Sequence, residues 1–411
     1  MPLVSMKDML QHAYEHRYAV GAFDLVSLEF LEGIMTAAEK CQAPVILSLA
    51  ESHFDYFDFE LIMPAVEAAA RRSSVPVAIH LDHGADLASA VRAINLGCNG
   101  VMVDASHESF AENIRSTKAI VDIAHTCGVP VEGELGYVPG VEGEDAERHP
   151  GEIAYTTVTE ARDYVKQSGV DFLAVSIGTV HGRMRGEPKL DFDRLEQINE
   201  ALDIPLVIHG GTGLSDKQFR RLISKGVAKI NYYTALSDMA AVCMRDNTRA
   251  KQQGGHVSVM EGVKEVISAE VERCIHLWGS YDRAGDLLNQ CTPWSSVEHL
   301  IIYNVKGVSE QDVDVMMAKG RQVLSTIPGV REVLAGRSVM TDADYRYTWL
   351  VRFCHPAVID SYREHPVHID FADMLFHPIA GERISIDYEI VEKNEILTNN
   401  GQLMTALGQF W

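Results

Sequence analysis

The chain has 411 residues, of which 46% are hydrophobic and 23% charged, and its formal net charge at pH 7 is −22. These values are ordinary for a globular protein with a large buried core, and the negative charge disfavours a nucleic acid or an anionic membrane surface as partner. The seven cysteines are scattered without a C-x-x-C pair, and neither a signal peptide nor an apolar membrane span is present. These features predict a cytoplasmic protein with reduced thiols.

Eight short apolar runs alternate with amphipathic helical patterns in residues 1–285, which we predict to be the first domain. The runs are 18–24, 44–50, 76–82, 99–105, 130–136, 171–178, 205–210 and 226–232. Apolar strands separated by helices indicate a parallel sheet that is buried on both faces. Eight such units predict an α/β fold, the closed (β/α)8 TIM barrel. A doubly wound sheet is disfavoured because the segment GAFDLVS after the first strand is not a glycine-rich phosphate turn.

The pattern changes near residue 286. Residues 286–297 carry Pro, Ser and other polar residues without periodicity, as a linker would. Residues 298–392 then follow the order β-α-β-β-α-β, which predicts a ferredoxin-like α+β domain. Residues 393–411 are predicted to be a C-terminal tail.

Ionisable side chains stand at the ends of the predicted barrel strands. They are Asp82, His83, Asp104, Glu132, Glu134, His181 and His209. A closed barrel brings these strand ends to one rim, where barrel enzymes have their active sites. Three imidazoles with carboxylates nearby suit zinc and leave one coordination position open for a substrate. His80 lies inside an apolar run, so we expect it to be a core or supporting residue.

The segment HGGTG predicts an anion site. Gly210 and Gly211 would let the backbone approach a phosphate, and the helix predicted over LSDKQFRRLISKG would direct its N-terminus at it. Additional donors are predicted from Gly182, Thr212, Asn231 and Thr234.

Taken in chain order, these segments resemble the class II, metal-dependent fructose-bisphosphate and tagatose-bisphosphate aldolases. HLDHG, GTVHGxxxGEPKLD and HGGTG carry the resemblance, which covers residues 1–285. It implies Zn²⁺ held by His83, His181 and His209, with a monovalent cation as a further candidate. It implies Asp104 and Glu134 as alternate or supporting metal positions.

The resemblance also implies a reaction. A phosphorylated ketose would be cleaved reversibly into dihydroxyacetone phosphate and an aldehyde through a metal-stabilised enediolate. Asp82 would transfer the proton of the aldehyde oxygen. A glutamate in the loop after the fifth strand would transfer the proton on carbon. We predict Glu144 for the second role, with Glu142 as its rival.

The substrate residues match the family in part. Gly182, Gly210, Thr212, Asn231 and Thr234 correspond to the cradle of the C1 phosphate, and Gly211, Asp24 and Ser48 complete the predicted substrate-binding set.

The chain departs from the family at the other end of the substrate. Tyr233 stands where the family has an acidic residue, Ser237 where it has an arginine, and Asp24 where it has an asparagine, while His53 lies in an unusually aromatic segment. We therefore hypothesise a C6 group other than phosphate, such as a sulfo- or deoxy-sugar terminus. Arg183 and Arg185 are candidates for a distal anion.

The C-terminal domain resembles the stress-responsive A/B barrel (Dabb) domain through HLIIYNVK, IPGVREV and SYREHPVH. This resemblance implies an assembly role in a homodimer or homotetramer, and catalysis at His365 and His368 is the weaker interpretation.

Three alternatives to the metal-dependent aldolase remain open at this stage. One is an aldolase that forms a Schiff base through Lys229, and another is a non-catalytic sugar-phosphate sensor. A metal-dependent hydrolase is disfavoured because the first strand has no H-x-H pair.

Overall fold

The computed structural model describes residues 2–136, 138, 140, 155–183 and 189–389. In these ranges, no helix is long and apolar enough to cross a membrane. The predicted Glu144, its rival Glu142 and Arg185 lie outside the described residues.

Eight parallel strands close into a barrel, so the predicted (β/α)8 fold is confirmed. They are β1 Val20–Asp24, β2 Val45–Ala50, β3 Val77–Gly84, β4 Gly100–Val103, β5 Val131–Leu135, β6 Phe172–Val175, β7 Leu206–Ile208 and β8 Val227–Tyr232. Every residue of β1 and β2 is buried, as the continuous apolar runs predict. The barrel closes where β1 pairs with β8, with Val20 opposite Lys229.

The helices of this part surround the barrel and extend past it. They are α1 Met6–Glu15, α2 Leu28–Lys40, α3 Phe59–Arg72, α4 Leu87–Leu96, α5 Phe110–Thr126, α6 Val158–Ser168, α7 Phe192–Leu202, α8 Asp216–Ser224, α9 Thr234–Ala250, α10 His256–Met260, α11 Val263–Trp278 and α12 Ala284–Gln290.

Helix α1 covers the N-terminal end of the barrel. Its Met6, Met9 and Leu10 are fully buried in one cluster with inward-facing strand residues such as Ile46. A Cβ atom on Gly100 would clash with Met6 Sδ, so a larger residue at this position would displace the Met6 side chain where this helix meets β4. Because α1 fills this end, the opposite rim is the one that is left for a site.

The C-terminal unit has the predicted ferredoxin-like fold. It contains β9 Val297–Val305, α13 Glu310–Leu324, β10 Val330–Arg337, β11 Tyr347–Phe353, α14 Val358–Glu364, α15 Pro366–Phe371 and β12 Ala380–Glu389. The antiparallel sheet has the order β10-β11-β9-β12, and a single π-helical turn at 372–376 follows α15.

The segment predicted as a linker, 286–297, is more ordered than its composition suggests. Helix α12 extends into it, and Trp294 is only 4% exposed, with its ring stacked 4.4 Å from that of His355.

A partly buried ion pair links the two units. Arg331 of β10 donates to both carboxylate oxygens of Glu67 on α3, at 2.5 and 2.6 Å. Burial opposes ionisation of Glu67, but Arg331 lowers its pKa to about 2. Separating the units would remove this partner from Arg331, while Glu67 would keep its ion pair with Arg71 of the same helix, so the pair favours the observed contact between the units.

Candidate metal centre and substrate rim

The three predicted histidines converge at the C-terminal rim of the barrel. Their ring centroids lie 4.9 Å apart for His83–His181, 4.7 Å for His83–His209 and 5.7 Å for His181–His209. One potential ligand atom from each lies within 4.8 Å of the others. His181 and His209 are buried, whereas the His83 side chain is 17% exposed.

Backbone conformation brings His83 into this cluster. Successive side chains of a regular strand point to opposite faces, yet Asp82 and His83 both belong to candidate metal groups. His83 has a φ of +47°, a left-handed conformation that interrupts the strand pattern, and the register between β3 and β4 shifts at the same place. Such strain at a non-glycine residue is typical of functional sites.

A glycine allows the loops that carry the other two histidines to approach each other. Gly210, next to His209, has a φ of +68°, and a Cβ atom there would lie 2.1 Å from the Val180 carbonyl oxygen, next to His181. Any side chain at position 210 would therefore force these loops apart.

One nitrogen of each ring is already engaged away from the centre. His83 Nδ1 lies 3.3 Å from Asp104 Oδ2, His181 Nδ1 lies 3.1 Å from the Val138 carbonyl oxygen, and His209 Nε2 lies 2.9 Å from Glu132 Oε1. Metal-bound histidines usually donate their second N–H in this way, which fixes the tautomer.

The remaining ring nitrogens fit a cation. His181 Nε2 is buried and has no hydrogen-bond partner among the described residues, and His83 Nε2 lies 2.9 Å from His209 Nδ1. Burial, together with His83, lowers the pKa of His181 to about 3, so its imidazole is neutral and able to act as a ligand. The residues present therefore fit a bound metal ion.

Carboxylates give the centre a negative environment. Asp104 and Glu134 form a second candidate metal group with His83. Burial opposes charge on His83, but Asp82 and Asp104 raise its pKa well above the usual value. Burial and Asp104 raise the pKa of Glu134, whose two oxygens have no hydrogen-bond partner in the described part of the chain. A cation in the cluster would supply the positive charge that His83 and Glu134 otherwise gain by holding a proton.

Glu132 and Lys229 support the centre from inside the barrel. Glu132 accepts from Lys229 Nζ at 2.7 Å through one oxygen and contacts His209 through the other, with all three side chains fully buried. Burial opposes ionisation of Glu132, but Lys229 and His209 lower its pKa to about 2. The predicted supporting histidine, His80, lies 3.9 Å from the same carboxylate.

Asp82 is held at the centre by Asn231 of β8. The Asn231 amide donates to both carboxylate oxygens, at 3.0 and 2.9 Å. Burial opposes ionisation of Asp82, but His83 and His209 keep its pKa below the usual value. The sequence predicts Asn231 as a substrate donor, whereas its amide group is used here to orient Asp82.

The glycine loop lies beside two helices. It precedes α8, the predicted helix, which begins with a capping box between Ser215 and Gln218. The loop also contacts the first turn of α9, where Thr212 Oγ1 accepts from the Ala235 amide at 3.3 Å. An anion at this loop would therefore lie near the N-terminus of α9 as well as that of α8.

Two strands between this loop and Asp82 carry unpaired polar groups. Asp24 of β1 is 1% exposed and its register partner Ser48 is fully buried, and neither side chain has a partner among the described residues. His53 is 6% exposed, and its ring lies 4.5 Å from that of Tyr233. Arg183, predicted for a distal anion, instead forms an ion pair with Asp238.

The comparisons with known proteins agree with this geometry. A family model described as fructose-bisphosphate aldolase class-II matches residues 4–283. The chain belongs to this aldolase family. A second family model, the stress responsive A/B barrel domain, matches residues 297–390.

Relatives extend over the same part of the chain. A fructose-bisphosphate aldolase of Staphylococcus aureus is 40% identical over 288 residues, which cover 69% of this chain and 100% of the relative. The fructose-bisphosphate aldolase of Geobacillus stearothermophilus is 44% identical over 238 residues, which cover 57% of this chain and 82% of the relative. The crystal structure of the YdjI aldolase from Escherichia coli K12 matches with a TM-score of 0.62 and 33% identity, covering 69% of this chain and 99% of that one.

The enzyme is therefore an aldolase, a carbon–carbon lyase of a metal-dependent class. This sets the Schiff-base alternative aside. Lys229 forms an ion pair with Glu132 and is fully buried inside the barrel, so it does not reach the rim as a free amine.

Proposed function

We propose that the enzyme is a zinc aldolase that cleaves a ketose 1-phosphate whose C6 end carries no phosphate. The observation that carries the proposal is the unpaired, buried carboxylate of Asp24 beside Ser48. A buried carboxylate without a cation would repel a second anion and would accept a hydrogen bond from a hydroxyl group. Arg183, already paired with Asp238, adds no free cation. The ring pair of His53 and Tyr233 suits an uncharged terminus better than a sulfonate.

Zinc would be held by His83, His181 and His209, with Asp104 and Glu134 close enough to replace or support a ligand. When bound, it supplies a Lewis acid that favours negative charge on the ketone half of the substrate. Asp82, ionised and oriented by Asn231, would take the hydroxyl proton on cleavage and return it on condensation. Glu144 remains our prediction for the proton on carbon.

The C1 phosphate would bind at Gly210, Gly211 and Thr212, with Gly182 across the rim. The backbone there is left-handed at Gly182 and Gly210, with φ values of +79° and +68°, which turns peptide groups toward a ligand. Thr234 is the first residue of α9, so the helix terminus adds its partial positive charge.

A cleavage screen tests the proposal. Fructose 1,6-bisphosphate, fructose 1-phosphate, and the 6-deoxy and 6-sulfo 1-phosphates would be compared with and without a chelator. We expect kcat/KM to be roughly 10-fold higher for the uncharged C6 groups than for the bisphosphate, since about 1.4 kcal/mol of charge repulsion gives that factor. Asp24→Asn removes the charge with little change of shape. This variant should therefore show a smaller difference in kcat/KM between the uncharged C6 substrates and the bisphosphate. Full activity on the bisphosphate with weaker turnover of the analogues would contradict the proposal.

The outer face of the C-terminal sheet supports a role in assembly with a second copy. Leu334, Leu350, Leu300 and Ile386 form one row across all four strands. Leu334 is 45% exposed and Ile386 51%, whereas the opposite face of the sheet is covered by helices. A contiguous exposed apolar sheet face is typical of an interface, and a homodimer would bury it by pairing two such sheets.

We expect Ile386→Glu to dissociate this dimer, because a carboxylate would be buried without a partner in the paired sheets. Size-exclusion chromatography with light scattering should show the mass reduced by half. Val315→Glu places the same change on an exposed helical position, 65% exposed, and should leave the mass unchanged. Equal masses for Ile386→Glu and the wild type would exclude this face as the interface.

A further inference from the structure

The C-terminal unit contains a partly open cavity that the barrel chemistry does not use. It has a volume of about 270 Å³ and lies between the inner face of the sheet and the helices α14 and α15. Aromatic rings form much of its wall, from Trp349, Phe353, Tyr362, Phe371 and Phe376. An apolar cavity of about 150 Å³ is large enough for benzene, so this one accommodates a substituted six-membered ring.

Two histidines supply polar groups to this aromatic wall. His299 Nδ1 lies 2.6 Å from Asp387 Oδ1, and the other oxygen of Asp387 accepts from Arg363 at 2.8 Å. Because the Asp387 carboxylate accepts, His299 donates from Nδ1, and in this tautomer the lone pair is on Nε2.

The second histidine has the same tautomer for an independent reason. His368 Nδ1 lies 3.2 Å from the Arg363 carbonyl oxygen, which can only accept. His368 must therefore donate from Nδ1, and its Nε2 is an acceptor as well. Burial lowers the pKa of His368, so the ring is neutral at pH 7. Both histidine rings line the same aromatic cavity.

A metal ion is not what these acceptors fit. The candidate metal groups found among the described residues all belong to the barrel rim, and none includes His299 or His368. The two rings do not come close enough, with a third donor, to share an ion. Separate acceptors on an apolar wall instead suit hydroxyl donors carried by a ring.

We propose that this cavity binds a small hydroxylated aromatic molecule, a phenol in chemical class, whose O–H groups donate to Nε2 of His299 and His368. Its ring packs among Trp349 and Phe371, and Asp387 and the Arg363 carbonyl keep the two imidazoles in the accepting tautomer. The site is separate from the aldolase centre and gives the fused C-terminal unit a ligand of its own.

Phenol and anisole provide a matched test on the full-length protein, since anisole keeps the ring and the oxygen but has no O–H group. Binding would be followed by ligand-observed NMR titration. We expect phenol to bind roughly 3- to 10-fold more tightly, the factor that one hydrogen bond supplies. Binding of neither molecule, or equal affinities for both, would overturn the proposal.

Variants then locate the acceptors. His299→Phe and His368→Phe keep an apolar wall and should each reduce the preference for phenol without abolishing anisole binding. His365→Asn is the control, because His365 caps α15 by accepting from the Val367 amide and does not line this cavity. Persistence of the full preference in both phenylalanine variants contradicts the assignment. The wild-type comparison needs no variant and stands even where a substitution impairs folding.

Discussion

Replacing His209 with alanine is expected to lower kcat/KM for ketose cleavage by about 10³-fold or more and to remove most of the bound zinc. His209 offers Nδ1 to the centre while Glu132 fixes its Nε2. A Lewis acid contributes several kcal/mol to such a reaction, and each 1.36 kcal/mol corresponds to tenfold in rate. The checks are steady-state kinetics and metal content by mass spectrometry, with chelation of the wild type and readdition of Zn²⁺ in parallel.

His12→Gln is the matched control for this variant. His12 is also a buried histidine, but it lies on α1 at the closed end of the barrel and contacts Tyr18 at 2.9 Å. Its replacement should leave the metal content and the rate nearly unchanged. Stoichiometric zinc and wild-type activity in His209→Ala would show that the metal is held elsewhere.

The sequence predicts the barrel well because each strand can be recognised from its own residues. Buried parallel strands are continuously apolar, so the run at 44–50 indicates β2 without any knowledge of its neighbours. The histidines proposed to hold the metal are visible for a related reason. His83, His181 and His209 each stand beside glycine at the end of such a run, and a closed barrel brings all strand ends together.

The supporting contacts are not visible in this way. Glu132 and Glu134 stand on the same strand, and the sequence does not show that the first holds Lys229 and His209 while the second has no hydrogen-bond partner among the described residues. Asn231 and Asp82 are 149 positions apart, so their pairing depends on the register of the closed barrel. The Arg183–Asp238 pair likewise spans separate loops and helices.

The contact between the anion loop and α9 is also not visible in the sequence. The segment after HGGTG predicts a helix, which α8 confirms, and Ser215 and Gln218 form the capping box at its start. Thr212 and Ala235 are 23 positions apart, so the contact of the loop with α9 depends on the fold.

Asp82→Asn is expected to lower kcat for cleavage by 10²- to 10⁴-fold, the usual contribution of a positioned acid–base group, while zinc stays bound. Asparagine keeps the size of the side chain but cannot accept the hydroxyl proton. In the wild type, burial opposes ionisation of Asp82, yet His83 and His209 keep its pKa below the usual value, so the carboxylate is the form present at neutral pH. Stopped assays of cleavage together with metal content separate this loss from loss of the ion.

Proton exchange assigns the role within the reaction. Because Asp82 is proposed to serve the aldehyde oxygen, Asp82→Asn should still exchange the carbon-bound proton of dihydroxyacetone phosphate with solvent, whereas Glu144→Gln should not. Asp86→Asn removes a charge from the nearby first turn of α4 and keeps its cap on Ser89, so it should affect neither reaction. If Asp82→Asn lost this exchange, Asp82 itself would be the group that transfers the carbon-bound proton. Glu144 would then not have the role proposed for it.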